Sequence, residues 1–243
     1  MLIIATMFTA CDKKADEVIT EPQTYDYNVE KIAQATAHAL QDEEFRSYIQ
    51  SEAAKMFDGD YNFLIKDALN HKFGDGMTFR DKLSHEFVSV ETFNQFIENT
   101  PKLQIAVPVY IGKWNTKTFV PSVAFLNENF DDKTTEFISA FDASQNLIQV
   151  AVKEEPNVPF VVISLNERVD NNGNLKEEKP ANDKVRYDGG MEQITKMRFD
   201  NLSAVEPWIL GGPELRLQIR PAFWNTPNSV SFLEESFIVV SLI

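Results

Sequence analysis

The first ten residues are almost wholly apolar, and the run stops at Cys11 before the charged triplet Asp12-Lys13-Lys14. From Asp12 to Asn28 the chain is polar with no apolar period, which predicts a tether. A helical period begins at Val29, where Ile32, Ala35, Ala39 and Leu40 fall on one face behind Asn28 as the expected cap. Asp42 caps a second predicted helix, 43–56, whose inner stripe is Phe45, Tyr48, Ile49 and Ala53. Asp60, after the break Asp58-Gly59-Asp60, is the expected cap of a third helix over 61–70. Thr78 caps a fourth over 79–85, and a fifth over 91–98 stops before Pro101, which forbids continuation.

Beyond Pro101 the period shortens towards two. The stretches 103–111, 120–126, 136–141, 147–152 and 160–169 read as strands, with Pro108 restricting the first to an edge or bulge. Short strands separated by turns, with no helices between them, predict an antiparallel sheet or sandwich. The segment 171–190 is a polar linker, and 194–199, 215–220 and 237–243 are strands of a small C-terminal β unit. The fold class is therefore α+β: a helical cap of about five short helices, then antiparallel β structure. The expected organisation is a signal peptide at 1–10, a lipidated tether at 11–28, a helical region at 29–100, a β region at 101–170, the linker, and the C-terminal unit at 191–243. The apolar end at Ile243 either completes the preceding sheet or continues in a longer protein, and the second is the expectation.

Composition narrows the function classes. A 243-residue chain with 43% hydrophobic residues, 25% charged residues and 19 Phe can bury a sizeable core. Its net charge of −14 disfavours nucleic acid as a partner, since no basic stripe is present to neutralise phosphates. It equally disfavours peripheral attachment to anionic lipid.

Ten apolar residues make only ~15 Å of helix, half a bilayer core, so the start reads as an export signal and not a span. Phe8-Thr9-Ala10-Cys11 resembles the lipobox of bacterial lipoproteins, in which the cysteine is lipidated. The match departs from the family at Phe8, where Leu is preferred, and in lacking a basic residue before the apolar run. Cys11 is the only cysteine, so its lipidation leaves no thiol for a disulfide or a thiolate metal site. Two or more acyl chains anchor a protein stably where one does not.

Four further phrases, Phe57-Asp58-Gly59-Asp60-Tyr61, Leu103-Gln-Ile-Ala-Val-Pro108, Val162-Ile-Ser-Leu-Asn-Glu-Arg-Val169 and Glu206-Pro-Trp-Ile-Leu-Gly-Gly-Pro-Glu214, resemble segments of cell-envelope lipoproteins of Bacteroidota. The resemblance spans about 29–219 and implies a helical N-terminal part, a β-rich remainder and an envelope location. The outer membrane is the expected membrane, with the leaflet left open. The resemblance assigns no catalytic residue.

Candidate chemistry is sparse. His85-Glu86 opens like a zinc-protease motif, but Ser89 stands where the second histidine is needed. His38 and His71 read as structural. Asp58, Asp60 and Asn62 alternate oxygen side chains as a calcium loop does, yet Phe63 and Leu69 occupy the two diagnostic positions, so an aspartate-rich turn is the stronger reading. Asp170-Asn-Asn172-Gly-Asn174 fails the same test at Leu175 and Ala181. No phosphate loop and no Gly-x-Ser-x-Gly elbow occur, and no cofactor is expected. Neighbouring acidic pairs such as Glu43-Glu44 and Asp131-Asp132 read as solvated faces. Asn166-Glu167-Arg168, polar residues leaving an apolar strand, form the candidate polar interface. These features favour a non-enzymatic binding or assembly module, anchored by lipid, with a protein or glycan ligand. The competing readings are the N-terminal part of a metal-dependent hydrolase and a calcium-dependent adhesion module.

Overall fold

The computed structural model describes residues 24–176, 207–211, 215–217 and 238–240. Cys11, the tether up to residue 23, the linker from 177 and the expected strand at 194–199 lie outside the described residues. Five helices do precede a mixed sheet, and the fold is α+β: α1 Tyr25–Ala39, α2 Glu43–Ala53, α3 Ile65–Ala68, α4 Phe79–Ser84 and α5 Val90–Asn99.

Local signals set most helix starts. Asp42 accepts from the Glu44 amide at 2.9 Å. Thr78 and Asp81 close a reciprocal capping box at α4, which satisfies two of the orphan amide donors of the first turn. Ser89 caps α5. At α1 the start differs from the expected one. The helix begins at Tyr25 under Thr24, and Asn28, buried in the helix, donates its amide to the Thr24 carbonyl at 3.1 Å.

The larger difference falls on 61–70. Asn62–Leu64 is a strand, β1, and only Ile65–Ala68 is helical. Pairing decides this: Asn62, Phe63 and Leu64 lie opposite Ala106, Ile105 and Gln104 of β2, Leu103–Ala106. Ladder bonds and cross-strand packing outweigh a weak helical period. Asp60 accordingly caps no helix.

The remaining strands are β3 Ser122–Phe125, β4 Phe137–Phe141, β5 Leu147–Ala151 and β6 Phe160–Leu165, in the order β1-β2-β6-β3-β4-β5. All neighbours are antiparallel except β3 and β6, which run parallel with Val123 opposite Val161. β2 ends at Ala106, so Pro108 lies just past an interior strand and interrupts no ladder. β7 Leu215–Leu217 and β8 Ile238–Val240 form a separate antiparallel pair.

Alternation along the strands builds two cores. Phe63, Ile105, Val123, Val161 and Ile163 face the helices and join Ile32, Phe45, Phe79 and Phe93. Ala106, Ala124, Ala140, Phe160 and Val162 face the other way, against Trp208 and Ile209. Phe45 and Phe79 stack at 5.4 Å, both fully buried, and each such ring stabilises the layer by roughly 1.5–3 kcal/mol. β6 is apolar and buried almost throughout because it is central and covered on both faces.

Candidate functional site

On the second face of the sheet the apolar surface gives way to a polar row at the β1-β2-β6 end. The register aligns Leu64 with Gln104 and Gln104 with Ser164, so Asn62, Gln104 and Ser164 project from three adjacent strands on one side. The chain leaving β6 adds Asn166, Glu167 and Arg168. The turn before β1 adds Asp58 and Asp60. These residues line a cleft of about 140 Å³ with Tyr61, Pro108, Ile209 and Leu210 around them. The two polar groups singled out in the sequence, 58–62 and 166–168, are thus two walls of one site.

The polarity of this row follows from the backbone. Asn166 is 1% exposed, and its Oδ1 accepts the main-chain N–H groups of Arg168 at 2.8 Å and Val169 at 3.1 Å. Its amide nitrogen must therefore point the other way. It donates to Asp58 Oδ2 at 2.6 Å and to Gln104 Oε1 at 2.7 Å. With Oε1 engaged, Gln104 presents Nε2 to Ser164 Oγ at 3.0 Å. Asp58 Oδ2 also receives Asn62 Nδ2 at 3.2 Å, which turns Asn62 Oδ1 away from the carboxylate. A flipped Asn62 would set an oxygen against that carboxylate.

One group at the end of the relay is unsatisfied. Asn62 is 3% exposed, and its Oδ1 has no hydrogen-bond partner among the described residues. Ser164, 4% exposed, accepts from Gln104, and its own hydroxyl hydrogen finds no acceptor among them. A buried unsatisfied polar group costs about 1–3 kcal/mol, so the open acceptor is not neutral for the fold.

Arg168 closes the cleft's rim. Its guanidinium donates to the Asp58 carbonyl at 3.0 Å, and its Nε lies 3.3 Å from Asp60 Oδ2. The Asp58 Oδ1 accepts the Asp60 amide at 3.1 Å. The carboxylates thus face amide and guanidinium donors, an arrangement opposite to the converging oxygens of a calcium loop. Among the described residues no group of three or more His, Cys, Asp or Glu side chains is placed to hold a metal.

The histidines, two buried indoles and the 170–174 turn lie outside the cleft lining. His38 and His85 stack at 5.6 Å on the surface, His85 beside Glu86, and His71 stacks on Tyr48 at 3.8 Å. Trp114 and Trp208 pack inward, with their indole N–H groups on the Phe119 and Ala151 carbonyls. Asp170 makes a turn by accepting the Asn172 and Asn174 amides at 2.8 and 2.9 Å. Gln104 and Ser164 were not singled out in the sequence. Their only signal is a polar residue at a period-two position in an apolar strand, which ordinarily marks a solvated face.

The chain shows no match to family models, to curated proteins or to solved structures. Among the described residues no helix is long and apolar enough to cross a membrane.

Proposed function

We propose that this chain is a lipid-anchored cell-envelope protein of the Bacteroidota type, tethered through Cys11, and that it acts as a non-enzymatic binding module. The observation that carries the binding half is the cleft itself. Side chains from positions 58, 62, 104, 164, 166 and 168 converge on it, and a relay of hydrogen bonds fixes their orientation. Fixed, partly buried polar groups beside an apolar rim suit recognition of a small ligand. At about 140 Å³ the cleft is smaller than the roughly 300–1,000 Å³ of common ligand pockets, so it accommodates one ring or the end of a chain. The described side chains that line it include no His or Lys to activate Ser164, which favours binding over acyl transfer.

The anchor half is supported by Cys11 standing between an apolar run and charged residues. The test is fractionation of cells expressing the wild type and Cys11→Ser after metabolic labelling with a fatty acid. The wild type is expected in the membrane fraction with label, and the variant is expected unlabelled and released. Unlabelled wild type, or unchanged membrane association of the variant, would overturn the anchor.

A further inference from the structure

From the polarity of the relay we infer that the cleft recognises a neutral, hydroxyl-bearing ring, a saccharide-class ligand, with Asn62 and Ser164 as the residues that read its hydroxyl pattern. The inference rests on the cleft being a ligand site and names what occupies it. Asn62 Oδ1 is a buried acceptor that needs a donor. The Ser164 hydroxyl, held as an acceptor by Gln104, has a hydrogen that needs an acceptor. A ligand serving both, across the width of β2, must donate at one point and accept at another. Hydroxyls do both, whereas an ammonium only donates and a carboxylate or phosphate only accepts.

Charge points the same way. Among the described residues lining the cleft, Asp58, Asp60 and Glu167 outnumber Arg168, so an anion meets net repulsion from them. An ammonium gains little, because Asp58 is occupied by the amides of Asn62 and Asn166 and Asp60 by Arg168. Tyr61, Pro108 and Leu210 supply apolar surface against which the C–H face of a sugar ring can lie.

The structure also separates recognition from folding. Asn62→Leu removes the open acceptor together with the 3.2 Å amide bond to Asp58, whose Oδ2 keeps the shorter bond from Asn166, so the gain and the loss offset and the change is close to neutral. Ser164→Ala removes the hydroxyl and keeps the strand.

The experiment is an NMR titration of the full chain carrying Cys11→Ser, following the Gln104 and Asn166 side-chain amides. The probes are a methyl hexopyranoside, a neutral oligosaccharide, the corresponding 2-amino sugar and the corresponding uronate. Saturable shifts of both amides are expected with the neutral probes. Binding should be about tenfold tighter than to either charged analogue and about tenfold weaker in Asn62→Leu and in Ser164→Ala. Equal or tighter binding of the amino sugar or uronate, or unchanged affinity in both variants, would overturn the ligand class while leaving the cleft as a site. Absence of saturable shifts with all four probes would overturn the cleft as a binding site and this inference with it.

Discussion

Asn166 and Asp58, separated by 108 residues of chain, share a hydrogen bond of 2.6 Å from amide nitrogen to carboxylate oxygen. That contact closes the exit of β6 onto the turn before β1, across the intervening β2. Asn166→Ala strips the acceptor from two backbone amides and the donor from Asp58 and Gln104. With roughly 1–3 kcal/mol for each group left unsatisfied, and partial rehydration through the cleft, the expected loss is about 2–4 kcal/mol. Urea unfolding checks it through a lower midpoint at unchanged slope.

Arg46 is a second buried polar anchor, only 5% exposed. It donates to the carbonyls of Leu40 at 2.6 Å, Gln41 at 2.9 Å and Thr116 at 2.5 Å. It therefore satisfies the C-terminal end of α1 and pins the loop at 116 with one planar fork. Arg46→Met is expected to cost about 2–4 kcal/mol. Arg46→Lys should recover less than half of that, because an ammonium cannot span the three carbonyls as the guanidinium does. Thermal melts of the two variants decide the point, and full recovery by lysine would show that charge alone matters.

Glycine matters at one turn and not at another. Gly173 has φ +74°, and a Cβ there would clash with Lys66 Cε and sit 2.8 Å from the Pro101 carbonyl. Gly173→Ala should destabilise by about 1–3 kcal/mol. At Gly112 an added Cβ meets nothing within 4 Å, so Gly112→Ala should stay within about 0.5 kcal/mol of wild type. Comparable losses at both positions would contradict this account of the 170–174 turn.

Acid is expected to lower the stability of the protein through its capping and turn carboxylates, whose exposure to solvent keeps each contribution modest. Hydrogen bonds from Lys82 lower the pKa of Asp75, and those from Thr78 lower that of Asp81. Backbone amides of Lys133, Asn146 and Asn174 do the same for Asp131, Asp142 and Asp170. Since each folded value lies below the unfolded one, the unfolded chain binds protons first. The contribution is complete above about pH 4 and is lost as pH falls through the lowered values. Tm should be nearly flat from pH 7 to about 5 and fall below about 4. Asp142→Asn with Asp170→Asn should flatten that fall, because asparagine keeps the accepting oxygen without the titration. A Tm that rises on acidification would contradict this.

Much of the helical part was legible from single residues. Asp42 and Thr78 announced α2 and α4 because a side-chain oxygen before an apolar period has one local use, and the caps depend on nothing distant. Asn62–Leu64 was not legible, since its strand state is imposed by Gln104–Ala106, and no local pattern reports a partner some 40 residues on. The parallel β3–β6 pair was hidden for a related reason. Alternation gives the faces of a strand but not the direction of its neighbour.

The site shows the same division. Asp58, Asp60 and Asn62 stood out as alternating oxygens, and Asn166-Glu167-Arg168 as polar residues at the end of an apolar strand. Their meeting depends on sheet order, which places β1, β2 and β6 side by side. Gln104 and Ser164 became visible only through the register that sets them opposite each other.

The most direct test of the claim that this polar row is kept for a ligand is the thermal stability of Asn62→Leu. Asn62 Oδ1 is buried without a partner among the described residues, and relief of that cost offsets the loss of the 3.2 Å bond to Asp58, which keeps Asn166, so the account predicts a Tm within a few degrees of the wild type. A fall of more than about 6 °C, equivalent to about 2 kcal/mol or more for a chain of this size, would contradict it and make Asn62 a strut of the fold.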